Sequence, residues 1–228
     1  MAGSMTEVPV NGGVVPAYVS LPPAGSGPGV VVIQEWWGLV PHIRNVADRL
    51  AAQGFVAMAP DLYHGQETSE PDEAGKLLME MRLDQAAKDM AATVDALLAM
   101  PETTGDGVGA IGFCAGGGLA LYLASLKPEV AAAVCYYGFP RQGLQWDLSA
   151  VKGAVLGHFA EHDDWASREL ADGMERELRD AGVDVTFHHY PGTTHAFFND
   201  DRPEVYHAEA AQESWRRTLD FLHDRLGG

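Results

Sequence analysis

The stretch Val108-Gly109-Ala110-Ile111-Gly112-Phe113-Cys114-Ala115-Gly116-Gly117-Gly118-Leu119 decides how this chain folds. It joins a short apolar run, Val108 to Ile111, to an alanine- and leucine-rich helical run from Leu119 to Leu126. The order is strand, glycine-flanked turn, nucleophilic side chain, helix. A reactive residue on such a turn sits in strained backbone, where side chains two positions before and after it would collide. Gly112 and Gly116 hold those two places, giving G-x-C-x-G, and no G-x-S-x-G occurs in the chain. A thiol at a helix start gains from the positive end of the helix dipole, which raises its thiolate fraction. The backbone N–H of Ala115 would then point at an oxyanion. The competing reading makes Cys114 a small buried apolar residue and the glycines packing spacers.

Outward from this turn, strands and helices alternate. Val14 to Leu21 reads as an edge strand ending at Pro22-Pro23. Val30-Val31-Val32-Ile33 is β-branched throughout and belongs inside a parallel sheet. Ile43, Val46, Ala47, Leu50 and Ala51 recur at helical spacing up to Gly54, and Phe55 to Ala59 is the next strand. Residues 64 to 75 are turn-rich, with one or two short helices expected between Glu73 and Met81. A longer helix covers about Leu83 to Met100. After the central turn come a strand from Ala131 to Tyr137, a loop holding Phe139, Arg141 and Trp146, and a strand from Ala154 to Phe159. An amphipathic helix over Ser167 to Ala181, a last strand over Val183 to Tyr190 and a helix over about Glu204 to Leu226 complete the chain. That final helix is expected to bury Ala208, Ala211, Trp215, Leu219 and Leu222. The pattern predicts an α/β fold, a mostly parallel sheet with helices on both faces.

The 228 residues suit one domain, expected over 6–228, with Met1 to Met5 set aside as an expression scar. Fifteen Lys and Arg against 32 Asp and Glu give a net charge of −17, which repels nucleic acid and anionic membranes. Two cysteines in separate elements, without a secretory pattern, point to a reducing, cytoplasmic compartment. Cys135 lies in an apolar strand and reads as core. His188-His189 alternates strand faces and no C-x-x-C occurs, so no metal is predicted. Gly116-Gly117-Gly118 lacks the Lys and Ser/Thr of a phosphate loop, and no cofactor is expected.

Partners for the cysteine lie further along. Ala160-Glu161-His162-Asp163-Asp164-Trp165 follows one strand, and Pro191-Gly192-Thr193-Thr194-His195-Ala196-Phe197-Phe198 follows the last. The order nucleophile, acid, histidine is that of α/β-hydrolases. His195 would take the thiol proton and later activate water, with a carboxylate holding its tautomer. Glu161, Asp163 and Asp164 compete for that place, and spacing alone does not choose.

At this point the chain resembles the dienelactone hydrolase (carboxymethylenebutenolidase) family of α/β-hydrolases from about residue 6 to 225. The resemblance rests on Gln34-Glu35, Ala59-Pro60-Asp61-Leu62-Tyr63, Gly112-Phe113-Cys114-Ala115-Gly116-Gly117 and Tyr136-Tyr137-Gly138. It extends to Phe159-Ala160-Glu161-His162-Asp163, Tyr190-Pro191-Gly192, His195-Ala196-Phe197 and Thr218 to Leu222. It implies a Cys114, His195, Asp163 triad, an oxyanion hole from the N–H groups of Ala115 and Trp36, and a role for Glu35 in forming the thiolate. It also implies a pair of arginines that grip an anionic substrate. Here one of those places is Asn199 and the other falls near Pro71, leaving Arg82 or Arg141 to enter the pocket from elsewhere. Trp36, Trp37, Phe113, Tyr137, Trp165, Phe197 and Phe198 would line a pocket for a larger apolar or aromatic acyl group, with Asn199 beside them.

The expected activity is thus cysteine-dependent hydrolysis of cyclic enol esters or lactones through an acyl-thiolate intermediate. The nearest rival is a broad carboxylesterase, a thioesterase or a lactone-handling biosynthetic enzyme on the same triad. Farther off stand a redox sensor using Cys114 and a ligand-binding scaffold. The expected partner is a small ester or lactone, on a monomer or homodimer.

Overall fold

The computed structural model describes residues 2–140, 144 and 146–227. Its eight strands are β1 (Ser4–Val10), β2 (Gly13–Ser20), β3 (Gly27–Ile33), β4 (Val56–Pro60), β5 (Thr103–Phe113), β6 (Val130–Tyr136), β7 (Ala154–His162) and β8 (Val185–Thr194). They form one sheet in the order β1-β2-β4-β3-β5-β6-β7-β8. β1 and β2 pair antiparallel, as do β2 and β4; every later pairing is parallel.

The β-branched run Val30 to Ile33 is fully buried in the middle of the sheet, as a strand covered on both faces must be. Among the described residues the α-helices are α1 (Pro41–Ala52), α2 (Pro71–Glu80), α3 (Leu83–Ala99), α4 (Ala115–Leu126), α5 (Arg168–Asp180) and α6 (Ala208–Leu226), and all but α2 pack on the sheet. Successive residues of β5 show the two faces, because side chains alternate along a strand. Val108 lies with Leu97 of α3, whereas a Cβ at Gly109 would come within 2.9 Å of Leu222 on α6.

Several elements differ from the sequence expectations. β2 is not an edge strand: β1 covers it, turning through Asn11-Gly12 with Gly12 at φ 95°. Ser4 and Met5, set aside on sequence, pair there with Val19 and Tyr18. α2 begins at Pro71, two residues before the expected start, since proline suits a first helical turn whose N–H groups lack partners anyway. α6 buries Ala210, Ala211, Ser214, Thr218 and Leu222, while Ala208 is exposed and Trp215 and Leu219 are half-buried. The two polar residues of that stripe are drawn inward by a buried network. His158 bonds the Tyr190 hydroxyl through Nδ1 at 2.8 Å and Thr218 Oγ1 through Nε2 at 3.0 Å, and Tyr136 meets Thr218 at 2.9 Å.

The ends of the parallel strands carry the chemically interesting side chains. Ile33 pairs with Gly112, Phe113 with Tyr136, and His162 with Thr194. The residues just beyond these pairs, including Glu35, Cys114, Tyr137, Asp163 and His195, therefore leave one edge of the sheet together.

Candidate active site

Cys114 stands between β5 and α4 at φ 54°, ψ −120°, a region that L-residues occupy only under constraint. The constraint is built from backbone. A Cβ at Gly112 would strike the Gly116 carbonyl, and one at Gly116 would strike the carbonyls of Gln34 and Ile33. At Gly117 it would lie 2.7 Å from the Tyr136 carbonyl, and at Gly118 it would strike that of Phe139. Only glycine lets α4 start this close to the ends of β3 and β6. The Cys114 N–H donates to the Tyr136 carbonyl at 3.0 Å, and its carbonyl accepts from Gly117 at 3.0 Å. Cys114 and Ala115 are half-buried, so the helix N-terminus opens outward at the thiol.

His195 and Asp163 meet directly, Nδ1 to Oδ2 at 2.8 Å. The other Asp163 oxygen accepts from the Trp165 and Ala166 N–H groups at 2.9 and 2.8 Å. Burial raises the Asp163 pKa, but His195 and these two N–H groups outweigh it and hold the carboxyl below its ordinary value. Its rivals face elsewhere. Glu161 is exposed and accepts from the Gly192 N–H at 2.7 Å, and Asp164 is exposed. For His195, burial works against the charged ring, yet hydrogen bonds to Asp163 and Cys114 and the charges of both push its pKa up to about 10. Ala196, next in sequence, is at φ 65°.

Glu35 is buried, with Oε2 accepting from Asn199 Nδ2 at 2.7 Å and Oε1 from the Tyr137 hydroxyl at 3.4 Å. Tyr137, at φ 39°, sets its ring edge-on to His195 at 5.1 Å. Its phenol is pushed far up by burial and then by the charges of Glu35 and Cys114. Asn199 thus faces Glu35, a pairing of residues 164 positions apart that no local signal announces.

The remaining expected pocket residues separate. Phe113 and Phe197 are fully buried, Phe113 stacked on Tyr136 and Phe198 and Phe197 packed on Tyr190. They form the floor beneath the site. Trp36 is half-buried against Trp37, whose ring lies under the Arg202 guanidinium at 5.4 Å. Trp165 is 76% exposed, on the rim of a groove of about 580 Å³ that also touches His195, Arg168 and Val205. Arg82 is on the surface, its guanidinium 2.8 Å from Asp84. Arg141 lies outside the described residues. Among the described residues, no group of three or more His, Cys, Asp or Glu converges as a metal site, and no helix is long and apolar enough to cross a membrane.

A sheet of this order, with its glycine-bound turn at the centre and its histidine beyond the last strand, makes the molecule an α/β-hydrolase. The dienelactone hydrolase family profile matches residues 15–226. The chain belongs to that family and is a carboxylic ester hydrolase. It is 38% identical over 231 residues to Protein usf of Aquifex pyrophilus, covering 98% of this chain and 99% of the relative. A protein of Aquifex aeolicus with a provisional carboxymethylenebutenolidase name is also 38% identical, with the same coverage. A dienelactone hydrolase-like promiscuous phosphotriesterase from metagenomic libraries superposes with a TM-score of 0.86 at 26% identity, covering 99% of both chains.

Proposed function

We propose that the protein hydrolyses neutral enol esters or lactones with Cys114 as nucleophile, His195 as base and acid, and Asp163 as the residue that orients and charges the histidine. The His195–Asp163 bond at 2.8 Å, on a histidine whose pKa is also raised by Cys114, carries the reading. A histidine whose proton is held by Asp163 and by the Cys114 side chain is set to receive the thiol proton as the sulfur attacks.

The thiolate attacks the ester carbonyl, and the N–H groups of Ala115 and Trp36 take up the oxyanion. The carbon–oxygen bond breaks, and the enolate leaves with the proton from His195. In the acyl-enzyme the sulfur carries no charge, which removes one of the causes that raise His195. The histidine then becomes a usable base for the water that releases the acid and restores the thiol. Glu35, buried beside Tyr137 and Asn199, is proposed to adjust the thiol's charge as substrate enters. Two of the positions considered for an anion clamp supply none, which supports a neutral substrate: Arg82 is paired on the surface, and Asn199 is committed to Glu35. The groove beside His195, with Trp165 on its rim, would take an aromatic leaving group.

The test is turnover of a panel by the wild type, Cys114→Ser and Cys114→Ala: an anionic dienelactone, neutral enol lactones, p-nitrophenyl butyrate, an acyl thioester and a neutral phosphotriester. The last is included because of the phosphotriesterase likeness. Hydrolysis of neutral enol esters, with a trapped acyl group on Cys114 in quenched samples, is expected. Full activity in Cys114→Ala would overturn the proposal. Preference for the dienelactone would overturn only the neutrality of the substrate.

A further inference from the structure

Asn199 is 2% exposed and has no freedom left. Its Nδ2 donates to Glu35 at 2.7 Å, and its Oδ1 accepts from the Asp201 N–H at 3.1 Å. Its own N–H donates to the Ala196 carbonyl at 2.9 Å, and its carbonyl accepts from Arg202 at 3.1 Å. The side chain of Glu35 in turn meets two neutral donors, Asn199 and Tyr137, and among the described residues no cation forms an ion pair with it. A carboxylate with one oxygen fixed this way has a single direction for the other. Oε1 faces the Tyr137 hydroxyl, the group that also feels the charge of Cys114. Asn199 lies four residues after His195, so the same bond ties the histidine loop to the end of β3.

We propose that Asn199 is a positioning residue, which aims the Glu35 carboxylate at the thiol side of the site and does not itself bind substrate. This rests on the role proposed for Glu35, and the experiment separates the two. The measurement is a double-mutant cycle of kcat and KM on a neutral enol ester, using wild type, Asn199→Ala, Glu35→Gln and the double variant, with thermal melts of all four. Asn199→Ala is expected to lower kcat roughly tenfold, the size of one hydrogen bond to a charged group, with KM nearly unchanged. In the Glu35→Gln background the same substitution should cost nothing further. Asn199→Asp supplies a readout that packing alone would not move. Two facing carboxyls share one proton, so this variant should keep its activity at acid pH and lose it as pH rises and the proton leaves, a step absent from wild type. Equal losses from Asn199→Ala in both backgrounds, or a raised KM with kcat intact, would overturn the positioning role. A Glu35→Gln enzyme with unchanged kcat would overturn the role of Glu35 itself, and this inference with it.

Discussion

At the scale of single residues, the proposed chemistry turns on His195 and what surrounds it. If Cys114 helps to hold the His195 proton, removing the sulfur must loosen it. The His195 pKa, read from its ring resonance by NMR, should fall from about 10 in Cys114→Ala. A value unchanged by the substitution would leave Asp163 as the whole cause. Asp163→Asn keeps the shape but reverses the tautomer, and kcat should drop by about 10⁴, the loss found when a buried triad aspartate is made neutral. The proposed roles of Cys114 and His195 were legible because each sits in a local signal, the glycine-flanked turn and the Gly-Thr-Thr turn after the last strand. Asp163 was separable from Glu161 and Asp164 only through family resemblance; what distinguishes it is the pair of N–H groups from Trp165 and Ala166, a fold of the chain invisible to spacing. Asn199 and Tyr137 as partners of Glu35 had no signal at all, since their meeting depends on strand order.

Among the elements, α4 and α5 make opposite use of glycine. At Gly116 an added methyl meets two backbone carbonyls that cannot move aside, and Gly116→Ala should destabilise the fold by about 3 kcal/mol or more. At Gly173, inside α5, nothing lies within 4 Å of the added atom. Gly173→Ala should therefore stabilise by about 0.5–1 kcal/mol through helix propensity alone. Denaturant unfolding of the two variants checks both signs. Periodicity revealed the helices well because their apolar faces repeat. It missed β1, whose seven residues are mostly exposed and show no apolar alternation. The missed cue was Asn11-Gly12, a dipeptide made for a two-residue hairpin. β8 ran past its expected end at Tyr190 to Thr194, carrying Pro191 and Gly192 into the strand and bringing His195 beside Asp163.

For the whole molecule, pH acts through two histidines in opposite directions. Burial and the neighbouring charges of His188 and Arg217 hold His158 well below 6.5. The unfolded chain takes up that proton near 6.5 while the native one resists, so stability from this group is complete above that pH and is lost as pH falls. His195 is raised, so its contribution is complete below 6.5 and is lost as pH climbs through about 10. The melting temperature should therefore decline on both sides, and His158→Gln should flatten the acid limb. The charge of −17 adds a kinetic expectation: kcat/KM for a cationic ester should fall with added salt and that for an anionic ester should rise. The parallel architecture was readable from buried β-branched runs. Which strand ends adjoin was not, because pairing is decided by packing across the whole sheet.

The carbonyl cradle around Gly112, Gly116, Gly117 and Gly118 holds the main chain at position 114 and makes no demand on the side chain mounted there. The mount and the reagent are separate parts. A serine placed on it would point the same way with its oxygen drawn nearer the main chain than the sulfur, so under the proposed mechanism the choice of atom tunes which leaving groups can be expelled while the scaffold stays as it is.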